Sequence, residues 1–416
     1  VKIERREFLE LGGIALAGSA LCNAPPVNAQ RPMPKSEFDY VDWSWERWRK
    51  ITHQTRPKIR GEQSGKAELV YLHEQSGKPL TTAREWEARR KSIKSLLGEF
   101  LGAPPKSKPS LDPKILEETT LDTHVRRKLS YQTEPGERVP AYVLIPKNLR
   151  GRAPVVLCPH QTTTPLTSGM REPIGLNGEP SLYTALNLVK RGYVTFTWDA
   201  LCFGERHDPA RGHYGDSIPF YQKHPRWSLL SKMIWDMSCG IDYLESLDFV
   251  DSSRIGSVGH SHGGVTTLFG MALDDRIKVG ASSCGFDTFR IDGNTWRWSR
   301  ATALIPRLGF YISSPYINMD QYRAMPDSET INTPFDVHQL LALIAPRPLF
   351  LSTSDEDFVF PNAGWSVRQS LQRVEPVYKL LNARDRISSY FFSGGHNFPP
   401  EASGKAYEWL DRWLKS

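Results

Sequence analysis

The sequence predicts an α/β domain. Its sheet is mostly parallel, of about eight strands, with helices on both faces and a helical extension at the N-terminal side. Two observations carry this. From Leu121 onward, short runs rich in β-branched and aromatic residues alternate with amphipathic stretches of helical length, a rhythm that builds parallel sheets through crossover helices. The composition, 39% hydrophobic and 24% charged, is ordinary for a globular chain, and 416 residues are long for one core but short for two large ones.

The strand-like runs are THVRRKLSYQT and RVPAYVLIP, joined by a Gly/Pro turn as a hairpin, then PVVLCPH (154–160), YVTFTWDA (193–200), RIGSVG (254–259), IKVGASSCG (277–285), RPLFLSTS (347–354) and RISSYFFSG (386–394). Helical stretches between and after them are SLYTALNLVKRG, LLSKMIWDMSCGIDYLESL, the segment after Gly263, NAGWSVRQSLQRVEPVYKLL and AYEWLDRWLKS. Two long irregular stretches, 201–229 and 286–335, break the rhythm; long loops in a compact domain commonly wall a site.

Upstream the texture differs. Residues 1–29 carry Arg5 and Arg6, a short apolar run from Leu11 to Leu21 and the small-residue site Val27-Asn28-Ala29, the layout of an export signal rather than a membrane span. The string R-R-x-F-L resembles a twin-arginine signal, departing from it at Glu4 and Glu10. The expectation is therefore an exported bacterial protein, periplasmic or extracellular. Residues 30–113 form a helical arm and linker: FDYVDWSWERWRKI and TAREWEARRKSIKSLLGEFLG have helical spacing, and APPKSKPSLDP follows them. Their tryptophans are expected to pack rather than to bind sugar. The main domain takes 114–416. A net charge of +7 reads as solubility, and no basic run interleaved with aromatics points to nucleic acid. Cys158, Cys202, Cys239 and Cys284 are widely spaced with no C-x-x-C, so they read as buried apolar residues rather than a zinc or redox pair.

The chemistry concentrates in SRIGSVGHSHGGVTTLFGMA, Ser253 to Ala272, where His260 and His262 bracket Ser261. An H-x-H metal pair needs both rings on one face of a continuing strand. A G-x-S-x-G turn between a strand and a helix instead lifts the serine above the sheet edge and offers helix-terminal N–H groups to a developing oxyanion. Ser261 lies where RIGSVG ends and a helix begins, so the nucleophile turn is preferred and no metal or cofactor is called for. A serine nucleophile needs a base held by an acid. His396 follows the last strand after Gly394-Gly395, and Asp357 follows RPLFLSTS, with Asp355 as runner-up and Glu356 behind it. Acid and base both fall just past strand ends, on the edge that carries Ser261. His338, on a helix-like stretch, reads as structural. The backbone N–H groups of His262 and Gln161 are the expected oxyanion hole. Asp199, Glu205 and Arg206 approach the same edge; a buried ion-pair brace is preferred over substrate contact. Trp296 and Trp298, in the second irregular stretch, are candidates for stacking on a sugar ring.

The strings PHQTT, GLNGEPSLYTALNLVKRGYVTFTWDALCFGERHD, GHSHGG, LIAPRPLF and GGHNF resemble the α/β-hydrolase superfamily over roughly residues 115–416, and within it the exported acetyl-xylan-esterase-like, dienelactone-hydrolase-related group. Dienelactone hydrolases use a cysteine where this chain has Ser261; glucuronoyl esterases carry a different elbow string, so that resemblance is the weaker one. The resemblance implies a secreted serine esterase that cleaves carboxylic esters through an acyl-enzyme, with a carbohydrate or small-molecule ester as substrate and acetyl groups as one candidate for removal. The alternatives are a prolyl-oligopeptidase-type peptidase, which usually carries a large N-terminal propeller, and a non-catalytic binding protein on the same scaffold.

Overall fold

The computed structural model describes residues 45–58, 80–163, 165–289, 301–311 and 333–415, all within one compact unit spanning Phe38–Ser416. The candidate export signal and the candidate sugar contacts Trp296 and Trp298 lie outside the described residues.

Among the described residues nine strands form one sheet: β1 (Lys114–Thr120), β2 (His124–Glu134), β3 (Glu137–Pro146), β4 (Ala153–Leu157), β5 (Val194–Trp198), β6 (Val250–His260), β7 (Ile277–Ser283), β8 (Leu349–Ser354) and β9 (Ile387–Phe392). Their order is β1-β2-β3-β5-β4-β6-β7-β8-β9. The β2–β3 pair is the expected hairpin, with β1 antiparallel on its outer side. From β5 to β9 every neighbouring pair is parallel. All eight strand-like runs form strands, and β1 is the addition. Its sequence, KILEETT, lies exposed along nearly its whole length, so no buried face imposed the alternation by which a strand is recognised.

Alternate residues of the central strands face two separate layers, as a strand's two-residue period requires. Val155 and Leu157 of β4 join one core, with Met233 and Met237 of the helix Leu229–Glu245; Val156 and Cys158 join the other, with Leu410 of the helix Pro400–Leu414. The arm also contributes to the core. Helix α1 (Trp45–Thr52) places Trp48 edge-on to Tyr221, with ring centroids 6.3 Å apart, and Trp45 Nε1 donates to the Pro306 carbonyl at 2.8 Å. Helix α2 (Ala83–Leu101) starts in a capping box between Thr82 and Glu85 and buries Trp86, Ile93, Leu97 and Phe100 along one stripe. The described tryptophans of the arm thus pack, as expected. The four cysteines described are free and buried. No helix among the described residues is long and apolar enough to cross a membrane.

Parallel strands place their carboxyl ends on one edge, where open α/β sheets hold their sites. The residues that follow β4 (His160, Gln161), β5 (Asp199), β6 (Ser261), β7 (Cys284), β8 (Asp357) and β9 (His396) therefore open onto that edge.

Candidate active site

Ser261 joins β6 to helix α3 (His262–Leu273), with φ 54° and ψ −121°. A non-glycine residue reaches this region only where its surroundings impose it. Here the Ser261 N–H donates to the Ser283 carbonyl at 2.9 Å and its carbonyl accepts from Val265 N–H at 3.0 Å. The flanking glycines answer to close approach. A Cβ on Gly259 would lie 2.3 Å from the Gly263 backbone, and a Cβ on Gly263 would lie 2.3 Å from the Pro159 carbonyl oxygen.

The turn sends the two histidines apart. His260 lies 4.7 Å from the His396 ring, stacks at 6.1 Å on Phe398, and sets Nδ1 3.2 Å from Ser283 Oγ. His262 instead packs against His160 at 6.1 Å and Phe203 at 5.2 Å. Burial, with the charge that His396 can carry, holds His260 well below the usual histidine range. The pair does not converge on a common point, which is what the elbow expectation requires.

His396 Nδ1 lies 2.8 Å from Asp357 Oδ2. The other carboxylate oxygen of Asp357 accepts the N–H groups of Val359 and Phe360, each at 2.8 Å. A carboxylate so engaged only accepts, which puts the proton on Nδ1 and leaves Nε2 a lone pair. Phe360 stacks on the imidazole at 5.5 Å, and Gly394 and Gly395, with φ 115° and 79°, make the turn that presents it. The structure thus brings Asp357 to His396. Asp355 pairs with Arg368 at 2.6 and 3.0 Å, and Glu356 accepts the Gly394 N–H at 2.9 Å. His338 is buried in the helix Val337–Ile344.

Gln161 lies in the loop after β4, whose Pro159 carbonyl closes on Gly263 of the elbow. His262 opens α3, so its N–H lies in the first turn, where helix N–H groups point away from the helix body. The Gln161 side chain donates to Glu172 Oε1 at 3.1 Å, and the Gln161 backbone carbonyl lies 2.6 Å from His160 Nδ1. His160 Nε2 accepts from Ala200 N–H at 3.2 Å. Both ring nitrogens are therefore committed as a neutral imidazole, and burial pushes His160 down to about 4. His160 clamps the loop after β4 to the loop after β5. Sequence reading missed this clamp and the buried Glu172, which burial pushes up to about 7. The only signal for Glu172 was a charged residue in the otherwise weakly charged stretch before Gly175.

The brace differs from expectation. Asp199 does not pair with Arg206 through its carboxylate; its oxygens take Met170 N–H at 2.7 Å and Glu205 N–H at 2.8 Å, and burial pushes it up to about 7. Arg206 reaches only the Asp199 carbonyl, at 3.2 Å, and pairs with Asp236 at 2.8 Å and with Glu137. Glu205 turns outward to Lys128. Asp199 faces a crowded backbone instead: a Cβ on Gly169 or Gly204 would strike its carboxylate, so it can be held by N–H groups but not reached by a guanidinium.

Among the described residues, Cys284, Asp357 and His396 form the one acidic, thiol and imidazole group tight enough for a cation, within 4.8 Å of one another. Burial and the Asp357 charge push the Cys284 thiol up, so it stays protonated, and three N–H groups already claim the Asp357 oxygens. That donor set suits a hydrogen-bonded acid and base better than a metal.

Known proteins resemble this chain over most of its length. A family model described as "Glucuronyl esterase, fungi" matches residues 140–382. YtaP of Bacillus subtilis (strain 168), described only as a hydrolase, is 28% identical over 78% of this chain and 99% of its own. A 4-O-methyl-glucuronoyl methylesterase of Phanerochaete carnosa (strain HHB-10118-sp) is 22% identical, covering 81% of this chain and 78% of its own. A glucuronoyl esterase structure from Solibacter usitatus shares the fold, with a TM-score of 0.62 at 19% identity over 86% of this chain and 98% of that one. The carbohydrate-esterase expectation stands, and the glucuronoyl-esterase branch, whose resemblance the elbow string made the weaker, is the one whose model matches.

Proposed function

The chain belongs to the glucuronyl esterase family, whose model spans more than half of it, and from that premise we propose that it hydrolyses a glucuronoyl ester with Ser261, His396 and Asp357. It is a carboxylic-ester hydrolase acting on carbohydrate esters. The observation that carries the finer reading is the 2.8 Å link from Asp357 to His396 Nδ1 on the sheet edge where Ser261 stands at φ 54°.

In this reading His396 Nε2 takes the Ser261 hydroxyl proton as Oγ attacks the ester carbonyl. The N–H groups of His262 and Gln161 receive the oxyanion, each contributing roughly 3 kcal/mol. The alcohol leaves with the proton from His396, and water activated by the same imidazole releases the acid. Asp357 keeps the imidazole in the tautomer that both steps need. A second reading, removal of acetyl groups from carbohydrate, is favoured by the GHSHGG elbow string. Residues 1–29 would direct the chain to export.

The test compares hydrolysis of methyl glucuronate and 4-nitrophenyl acetate by the full chain and by Ser261→Ala. Loss of both activities in the variant, up to about a millionfold in turnover, supports the serine mechanism, and the preferred ester separates the two substrate readings. Equal activity in both proteins overturns it.

A further inference from the structure

The loop after β4 is tied down by an acid that the mechanism does not use. Glu172 is 2% exposed, and among the described residues no lysine or arginine pairs with it. Its Oε1 accepts from Gln161 Nε2 at 3.1 Å and from the Glu179 N–H at 3.4 Å. The chain closes round this carboxyl. Gly178 has φ 81°, and a Cβ there would lie 2.5 Å from Glu172 Oε1, so only glycine lets residues 172–179 wrap it. A carboxyl buried without a cation costs stability, and burial pushes this one up to about 7. Such a cost is retained where a site needs the group.

What the acid holds is Gln161. The Gln161 backbone carbonyl faces His160 Nδ1 at 2.6 Å, and His160 Nε2 is fixed in turn by the Ala200 N–H. Side chain and backbone of Gln161 are thus anchored by two buried groups, on a stretch that belongs to neither helix nor strand. The far half of the loop has ties of its own. Thr163 Oγ1 accepts the Gly169 N–H at 3.0 Å, and Asp199 takes the Met170 N–H at 2.7 Å. The Glu172 link therefore bears on Gln161 in particular.

We propose that Glu172 is a positioning residue for the oxyanion hole, acting through the Gln161 side chain. This rests on Ser261 being the nucleophile and on the Gln161 N–H receiving the oxyanion. Negative charge gathers on the ester oxygen only as the tetrahedral intermediate forms, so a donor aimed there lowers the barrier without tightening ground-state binding. A donor on a helix or strand is aimed by its hydrogen-bond ladder. One in a loop has no ladder, and its direction must come from tethers on the same residue. Glu172 supplies the side-chain tether and His160 the backbone one.

The experiment measures kcat and KM for 4-nitrophenyl acetate and methyl glucuronate with the full chain, Ser261→Ala, Glu172→Ala, Glu172→Gln, Gln161→Ala and the double variant of Glu172→Ala with Gln161→Ala. Gln161→Ala keeps the backbone N–H and removes only its tether. Each alanine variant of the tether is expected to lower kcat about 10- to 100-fold, the cost of misplacing a stabilising group by about an ångström. KM stays within about twofold, since ground-state binding is untouched. The double variant falls no further than either single one, because both cut the same link. Glu172→Gln offers an acceptor oxygen in the same place and restores most of the lost kcat. Where Glu172→Ala does not fold, Glu172→Met, which fills the space without an oxygen, takes its place in the cycle. A kcat within about twofold of the full chain in either tether variant, losses that multiply in the double variant, or a raised KM with kcat kept overturns the proposal. Ser261→Ala tells the two failures apart. Full activity there overturns the serine reading and the Glu172 role with it, whereas activity lost there but kept in Glu172→Ala overturns the Glu172 role alone. A full chain that cleaves neither ester overturns both.

Discussion

Asp357→Asn separates the role of the acid's charge from its role as a scaffold. Asp357 Oδ1 receives two backbone N–H groups, from Val359 and Phe360, at 2.8 Å each. An asparagine must keep its carbonyl there, because an amide NH2 would set donors against donors. Its NH2 then faces His396 Nδ1 at the 2.8 Å contact, so Nδ1 must accept and the ring proton moves to Nε2. The candidate base is then already protonated on the nitrogen that should serve Ser261, although the turn, the burial and the ring position are all retained. The same exchange in a serine protease triad lowers kcat about 10⁴-fold, equivalent to about 5.4 kcal/mol of barrier. Hydrolysis of 4-nitrophenyl acetate, with thermal unfolding as the control for folding, reads this directly. Asp355→Asn is the comparison. Its ion pair with Arg368 has both partners more than 40% exposed, a kind worth about 0–1 kcal/mol, so kcat stays within about twofold. A loss under tenfold in Asp357→Asn, or an equal loss in Asp355→Asn, refutes the assignment of the acid.

Three further outcomes are expected. Ser261→Gly relieves the φ of 54° and should be about 1 kcal/mol more stable to urea than Ser261→Ala, which keeps the strain; both lack turnover. Asp236→Ala leaves Lys232 and Arg206, paired to it at 2.7 and 2.8 Å, without their shared buried partner, and should cost about 3–5 kcal/mol in unfolding free energy. Stability should also fall as pH rises from 6.5 to 7.5. Glu172 and Asp199 are pushed up to about 7 by burial, so the stability that comes from their bound protons is complete below the unfolded carboxyl range and is lost as pH rises through 7. His160, pushed down to about 4, gives the opposite slope only below about 6.5, where it offsets the carboxyls. Glu172→Gln keeps an acceptor for Gln161 and removes one of the two carboxyl contributions, on the order of 1 kcal/mol. Urea titrations of both proteins at pH 6.5 and 7.5 read this, and an undiminished slope in the variant would show that Glu172 does not titrate there.

Much of the fold and the core of the candidate site could be read in the chain itself. Buried strands need apolar runs and sharp turns need glycine, so eight strands, the β2–β3 hairpin and the Gly259–Gly263 elbow leave local marks. The places of Ser261, Asp357 and His396 after β6, β8 and β9 follow from parallel strands ending on a common edge. Partner choice is another matter, because it depends on which atoms folding brings within about 3 Å. Asp355 and Asp357 are alike in sequence, yet one meets Arg368 and the other His396. Arg206 stands near Asp199 in sequence but finds the carboxylates of Asp236 and Glu137, while backbone N–H groups take that of Asp199. His160 became a neutral clamp through a contact between segments far apart along the chain. Local patterning thus settled the elements, whereas hydrogen bonding and desolvation at long range decided which carboxylate meets His396 and which histidine stays neutral.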